Sequence, residues 1–445
     1  MNIGFAPQRL CPSALIKSAI TFFCLAILLA ISVQAQTIVP NPSKAGMDPE
    51  RLARIPSRLK FYVEKGSIAG AVTLVARHGV VAGLEAFGSQ SLEPNKPMRT
   101  DSIFQIMSMT KPFTAVALMM LVEEGKVVLA DPVEKYLPEF KGLWLNEPGS
   151  ADKERKQQRP SRRITLRDLL THTSGMASMP PPGASDLLSR MHLSLAEAVA
   201  LYSQQALDFE PGTRWQYSNP GIATLGRIVE VISGRPFEKF LEERILQPLG
   251  MKDSFIFPPA DKLDRIAMVY DLKDGKLKKS GAEILAGDPA LFRKGARYSG
   301  PEYALCSTAT DLFAFYQMML NGGTYNGRRL LSRAAVEVMT ALHTGTIDPA
   351  GHSPGKGYGL AWTVVKDPIG TLQLQSEGTY GHGGAFGTEG WIDPQKDLVG
   401  VFLIQRSSGG DAEEANVFKA LCAAAILDDE LIKSGAGILP ATVTH

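Results

Sequence analysis

Cysteine is scarce in this sequence. Four occur in 445 residues, and two of them, Cys11 and Cys24, fall in the N-terminal stretch. The other two, Cys306 and Cys422, are no disulfide framework, and they read as buried thiols at least as readily as a pair. Histidine numbers only seven, with no Cys/His cluster and no His-Glu-x-x-His, so metal-assisted hydrolysis has little support and no metal or cofactor is expected. A dominant charge sign is missing too. Lys and Arg total 47 against 45 Asp and Glu, a net charge of +2 that implies neither nucleic acid nor an anionic surface as partner. The densest basic run, Lys153-Glu154-Arg155-Lys156 through Arg159 to Arg162-Arg163, is mixed with Glu, Gln and Pro and reads as a solvated loop. Internal repeats and coiled-coil patterning are absent. So is Gly-x-Ser-x-Gly, which argues against an α/β-hydrolase.

What remains is an ordinary globular composition, 44% hydrophobic and 21% charged, with ample core for about two structural units. Arg9 and Lys17 precede an apolar stretch from Ala19 to Val33, and Val33-Gln34-Ala35 closes it with small residues. This predicts an export signal over 1–35 and a periplasmic or secreted mature chain with no membrane span; an uncleaved anchor is the alternative. A helix is predicted over Asp48–Lys65, capped by Asp48 and kinked at Pro56. A hairpin follows over Ala69–Arg77 and Val80–Phe87. From Phe104 the pattern turns helical, most strongly over Thr114–Gly125, and strands return at Leu360–Val365, Thr371–Gln375, Gly387–Ile392 and Leu398–Ile404. A last helix covers Ala412–Leu427. The expected architecture is α/β: one sheet domain built from 36–103 and 300–430, a mostly helical domain inserted over 104–299, and a tail over 431–445.

Chemistry enters with Ser108-Met109-Thr110-Lys111. A Ser and a Lys three apart on a helix share a face. A lysine lacking its proton can take the serine's and make it a nucleophile. Spacing alone does not select this pair, because Ser57/Lys60, Ser150/Lys153 and Ser353/Lys356 match it. Helix context does: Ser108 alone precedes a strong helix outside a charged or Pro-Gly loop, where unpaired N–H groups can bind an oxyanion. A second piece is Tyr217-Ser218-Asn219, the only Tyr-x-Asn in the chain. A nearby lysine ammonium would lower the Tyr217 pKa and make it a general base, and the Asn219 amide could hold a substrate carbonyl.

With these motifs the chain resembles the serine β-lactamase and penicillin-binding protein superfamily, in its class C β-lactamase-like branch. That branch includes family VIII carboxylesterases and D-peptidases. The stretches Leu169–Gly175 and Glu124–Pro138 support the resemblance, which runs from about Lys44 to Leu427. Among four candidates for the third motif, Lys273-Asp274-Gly275, His343-Thr344-Gly345, His382-Gly383-Gly384 and Lys433-Ser434-Gly435, only His382-Gly383-Gly384 sits between two strands. The resemblance places that motif on an edge strand lining the site, where glycines let substrate lie close. It further implies an oxyanion hole from the N–H groups of Ser108 and Ala385. His382 then stands where β-lactamases use a lysine to hold a substrate carboxylate. A Ser-His-Asp triad through His172 or His382 lacks a marked Asp, and His172 reads as a residue holding a loop.

The implied fold is the β-lactamase-like one, and the implied reaction is acyl transfer through an acyl-Ser108 ester, with a small-molecule ester or amide as substrate. A short-acyl carboxylesterase compatible with weak β-lactam hydrolysis is the first expectation. A class C-type β-lactamase or D-alanyl-D-alanine carboxypeptidase/D-aminopeptidase is the second. A catalytically inactive penicillin-sensing or scaffold protein is the third.

Overall fold

The structure is a computed structural model that describes residues 38–147, 156–181, 191–280, 295–345, 354–371, 373–407 and 413–427, with Met1, Gly4 and Ile347. The expected signal, its two cysteines, the Ser150/Lys153 pair, Ser353, Lys433 and the tail lie outside the described residues. Pro40 onward forms one compact unit.

Its chain opens with helices α1 (Pro49–Leu52) and α2 (Arg54–Glu64). Asp48 caps α1 through the Glu50 and Arg51 N–H groups. The single kinked helix expected here is instead divided at Ala53. The ring of Pro56 would strike the carbonyl of Leu52 in a continuous helix, so the break falls between them and puts Pro56 in a first turn, where its missing N–H costs nothing.

Strands β1 (Gly70–Arg77) and β2 (Val80–Leu92) form the predicted hairpin. His78 and Gly79 both have positive φ, as a two-residue hairpin turn of matching twist requires. The short strand β3 (Asn95–Pro97) follows. Phe104–Gln105, expected as the start of a helix, is a strand, β4, before helix α3 (Lys111–Glu123). Buried residues lie on every side of α3, so it runs through the core rather than along the surface. Helix α4 (Asn219–Ser233) packs against α3.

The second half begins with β5 (Cys306–Ser307), which pairs with β4 and so stitches the two boundaries of the inserted helical region together. Helix α5 (Ala309–Leu320) then lies against the sheet. Strands β6 (Lys356–Tyr358), β7 (Thr363–Val365), β8 (Tyr380–Gly383), β9 (Glu389–Asp393) and β10 (Leu398–Leu403) precede the last helix, α6 (Glu413–Ala424). The strand expected at Thr371–Gln375 is not formed. Asp367 accepts from the Ile369 N–H, and Pro368–Thr371 winds into a helical turn. An Asp-Pro start overrides the alternating Thr-Leu-Gln-Leu pattern.

The main sheet is antiparallel, in the order β6-β7-β8-β9-β10-β1-β2-β3. Strands from the early and the late parts of the chain build it together. Every residue of the central β1 is buried. Leu59 and Tyr62 of α2, with Phe418 and Cys422 of α6, join Ala71, Val75, Trp391 and Phe402 of the sheet in one apolar cluster. Cys306 and Cys422 are buried free thiols. The register leaves one opening. Strand β7 pairs with β8 at Tyr380 and Gly381, and its ladder does not continue along His382–Gly383 although β8 is an interior strand.

Candidate active site

The His382–Gly383 stretch meets the first motif. Beyond β4 the chain turns sharply at Met107, whose φ of +51° lies in the left-handed region. A side-chain-bearing residue pays about 1–2 kcal/mol there. Packing holds the turn: Thr388 Oγ1 donates to the Ile106 carbonyl at 3.0 Å, and Gly384 lies against that carbonyl and Met107 Cβ. Ser108 follows in a 3₁₀ turn, Met107–Thr110, ahead of α3. The first N–H groups of such a turn have no acceptor within it. Ser108, Tyr217, His382, Gly383, Gly384 and Ala385 come together around one cavity of about 370 Å³. The two expected oxyanion-hole residues thus share a wall. Gly383 is open toward the cavity, with 3.7 Å to the nearest atom from an added Cβ, whereas Gly384 is glycine because the Met107 turn packs on it.

Behind Ser108 lies Lys111, with none of its surface exposed. Its Nζ is 3.0 Å from Ser108 Oγ, 2.9 Å from Asn219 Oδ1 and 2.8 Å from the Glu302 carbonyl oxygen. The last two can only accept. When Lys111 is neutral they take its two N–H groups, which leaves the lone pair directed at the Ser108 hydroxyl. Burial pushes the Lys111 pKa down to about 7, with the Glu302 carboxylate opposing the shift. The amine is therefore a base at neutral pH. Asn219 is oriented by the same contact: with Oδ1 on Lys111, its amide Nδ2 is left beside Met179 Sδ at 3.6 Å, a weak acceptor that a substrate carbonyl would displace.

Tyr217 hydrogen-bonds to Ser108, and the Lys111 ammonium position lies 4.7 Å from its ring centroid. The expected lowering of its pKa is reversed. Burial drives the phenol up, and Glu302 adds to the rise. A lysine that has itself lost much of its charge cannot offset that desolvation. Tyr217 is thus a neutral hydroxyl that relays or donates a proton, and the free base is Lys111.

At the third motif His382 lines the cavity. His382 Nδ1 lies 2.7 Å from the Gly383 carbonyl oxygen and Nε2 lies 3.0 Å from the Tyr358 hydroxyl. That hydroxyl is also 3.2 Å from His172 Nε2, and His172 Nδ1 accepts the Ser218 N–H at 3.1 Å. Ser218 N–H donates to His172, so His172 Nε2–H donates to Tyr358, and at the other end His382 Nδ1–H donates to Gly383. The imidazole lies against the cavity wall with both ring nitrogens hydrogen-bonded. His172 holds the Tyr217–Asn219 loop, as its sequence context suggested, and does so through this chain.

Two functional neighbours escaped the sequence. Tyr358 is separated from His172 by 186 positions, and Glu302 from Lys111 by 191. Neither stands in a motif. Among the described residues, no group of three or more His, Cys, Asp or Glu is placed to hold a metal ion, and no helix is long and apolar enough to cross a membrane.

Comparison with known proteins agrees with this geometry. The chain is 34% identical to protein Rv1367c of Mycobacterium tuberculosis strain H37Rv, covering 78% of this chain and 88% of that protein. It is 30% identical to esterase EstB of Burkholderia gladioli, covering 83% and 94%. The structure of EstCE1, a hydrolase with promiscuous acyltransferase activity, superposes with a TM-score of 0.70 at 24% identity over 85% of this chain and 99% of that one. Residues 55–424 match the model of the beta-lactamase family. The chain belongs to that family, within the serine β-lactamase and penicillin-binding protein superfamily, and is a serine hydrolase.

Proposed function

We propose that this protein is a carboxylesterase acting on small, short-acyl esters through an acyl-Ser108 intermediate, with slow β-lactam hydrolysis alongside. Lys111 takes the Ser108 proton as the oxygen attacks the ester carbonyl. The N–H groups of Ser108 and Ala385 receive the developing oxyanion, and Asn219 Nδ2 steadies the acyl side. Tyr217, hydrogen-bonded to Ser108, passes a proton to the leaving alkoxide, and Lys111 replenishes it. Water then attacks the acyl ester by the reverse proton path and frees the acid. Action after export, behind a signal in residues 1–35, is part of the same proposal.

One observation carries the choice of esters over β-lactams and D-peptides: the third motif presents His382, with its ring nitrogens hydrogen-bonded to Tyr358 and Gly383. The motif itself carries a histidine where a lysine would draw a substrate carboxylate, and of the lysines on the cavity wall, Lys356 and Lys419, the second is paired with Glu389; this favours uncharged esters. The 30% identity to an esterase adds to this.

The test uses p-nitrophenyl butyrate and nitrocefin with the wild-type chain and Ser108→Ala. Ester turnover should fall by roughly 10³-fold or more in the variant, and wild-type nitrocefin turnover should be slow. Ester hydrolysis that survives Ser108→Ala would sink the mechanism. Fast nitrocefin turnover with inert esters would replace the esterase with a β-lactamase.

A further inference from the structure

We propose that Glu302 is a positioning residue for the Ser108–Lys111 pair: its carbonyl oxygen anchors the amine, and its carboxylate is the counter-charge for the ammonium formed when Lys111 takes the serine proton. This rests on Ser108 as nucleophile and Lys111 as its base, and it adds a residue that no motif of the chain contains.

The placement is unusual for a glutamate. Glu302 is 2% exposed, Oε1 accepts from the Tyr298 hydroxyl at 2.6 Å, and Oε2 has no hydrogen-bond partner. The Tyr298 hydroxyl lies 3.3 Å from that of Tyr202. Leaving a carboxyl oxygen buried and unsatisfied costs on the order of 1–3 kcal/mol, so a fold under no functional demand would replace it. The segment around it is fixed from both sides. Thr114 of α3 donates to the Pro301 carbonyl at 2.6 Å, and Pro301 packs on Gly226 of α4, where a Cβ would overlap it.

Its electrical environment is simple. Lys111 comes from α3 and Tyr217 from the loop before α4. Tyr202 comes from the helix Leu195–Tyr202, and Tyr298 and Tyr303 from its own segment. Lys111 is the only cation among them, and Glu302 is the only charge acting on Lys111 among the described residues. Burial pushes the carboxyl up while the Tyr298 hydrogen bond and Lys111 pull it down.

The proton count follows. At rest Ser108 holds its proton and the amine is neutral. Attack moves that proton to Lys111 and creates an ammonium in a site sealed from water. A carboxylate close by lowers the energy of that state, and the same attraction holds the resting amine's pKa higher than burial alone would. Removing the charge therefore has two consequences of opposite appearance: the amine becomes active at lower pH and becomes a weaker base.

A fluorophosphonate that labels Ser108 reads this without needing the natural ester. Its labelling rate is followed from pH 5 to 9 in wild type, Glu302→Gln and Tyr298→Phe, with melting temperatures to show each variant folded. In wild type the rate should rise through a limb centred near Lys111's value of about 7. In Glu302→Gln the limb should move down by about one pH unit and the plateau should fall about threefold. Tyr298→Phe, which weakens the ionised carboxylate without removing it, should move the limb in the same direction by less. It keeps the test decisive if Glu302→Gln does not fold. Labelling with the limb unmoved in every folded variant overturns the role of Glu302 alone. No Ser108 labelling at any pH overturns the nucleophile on which it rests.

Discussion

Ser57/Lys60 and Ser108/Lys111 share one spacing and have opposite fates. The first pair lies on the outer side of α2. Ser57 and Lys60 are both exposed, and the Ser57 hydroxyl donates back to the Ala53 carbonyl at 3.2 Å. Water solvates that lysine, and the serine hydroxyl is turned back onto its own helix. The second pair is enclosed by α3, α4 and the Glu302 segment. With no water to solvate its ammonium, Lys111 gives up its proton near neutrality, and two carbonyl-type acceptors point its lone pair at Ser108. The tetrapeptide pattern supplies the groups; burial and two borrowed acceptors supply the chemistry.

The most direct way to break this comparison is to remove each lysine. Lys111→Ala should lower ester kcat/KM by roughly 10³-fold or more, whereas Lys60→Ala should leave it within about twofold and melting unchanged, as surface substitutions usually do. Loss at both positions, or at neither, would mean that the enclosure of Lys111 is not what makes it a base.

How much of this was legible in the sequence follows from distance along the chain. Ser108 and Lys111 are local, and so is Tyr217-x-Asn219, because the same turn that forms the motif also presents it. The two-ended sheet showed in its alternating strands. Glu302 and Tyr358 could not be read in the same way. A glutamate followed by tyrosine looks like any surface loop until folding buries it 191 positions away against Lys111. The hydrogen bonding of His382 was likewise invisible, since its Tyr358 partner comes from a separate segment. The direction of the Tyr217 shift failed for a related reason: the sequence shows a neighbouring lysine but not the absence of water.

The turn that encloses Ser108 offers a second, smaller contrast between adjacent glycines. A Cβ at Gly384 would overlap Thr388 Oγ1 and the Ile106 carbonyl and stand 3.1 Å from Met107 Cβ, so the strained corner must move. Gly384→Ala should cost about 2 kcal/mol of stability, in the range of overpacked cores, and should lower kcat by displacing the Ser108 N–H. At Gly383 the added methyl meets only open space, with 3.7 Å to the Thr388 carbonyl oxygen. Gly383→Ala should therefore melt like wild type and raise KM. Denaturant melts and steady-state kinetics on the two variants separate a glycine needed by the fold from one that leaves room for substrate. Equal melting of both would show that the Met107 corner does not lean on Gly384.

The smallest effect is expected where two His-x-Gly tripeptides differ. His343 reaches the Val338 carbonyl at the end of a helix and plays no part in the cavity, while His382 lines it and is hydrogen-bonded to Tyr358. Tyr358→Phe removes the hydroxyl hydrogen-bonded to His382 Nε2. An imidazole that takes up a proton at that nitrogen can attract a carboxylate. Ester kcat/KM should fall by no more than about threefold, and stability by about 1 kcal/mol for the lost hydrogen bonds. The ratio of nitrocefin to ester turnover should rise about threefold, and more at pH 6 than at pH 8, because the new attraction exists only while His382 carries the extra proton. A ratio that does not change, or that rises equally at both pH values, would show that the hydrogen bond between Tyr358 and His382 does not set the preference for uncharged substrates.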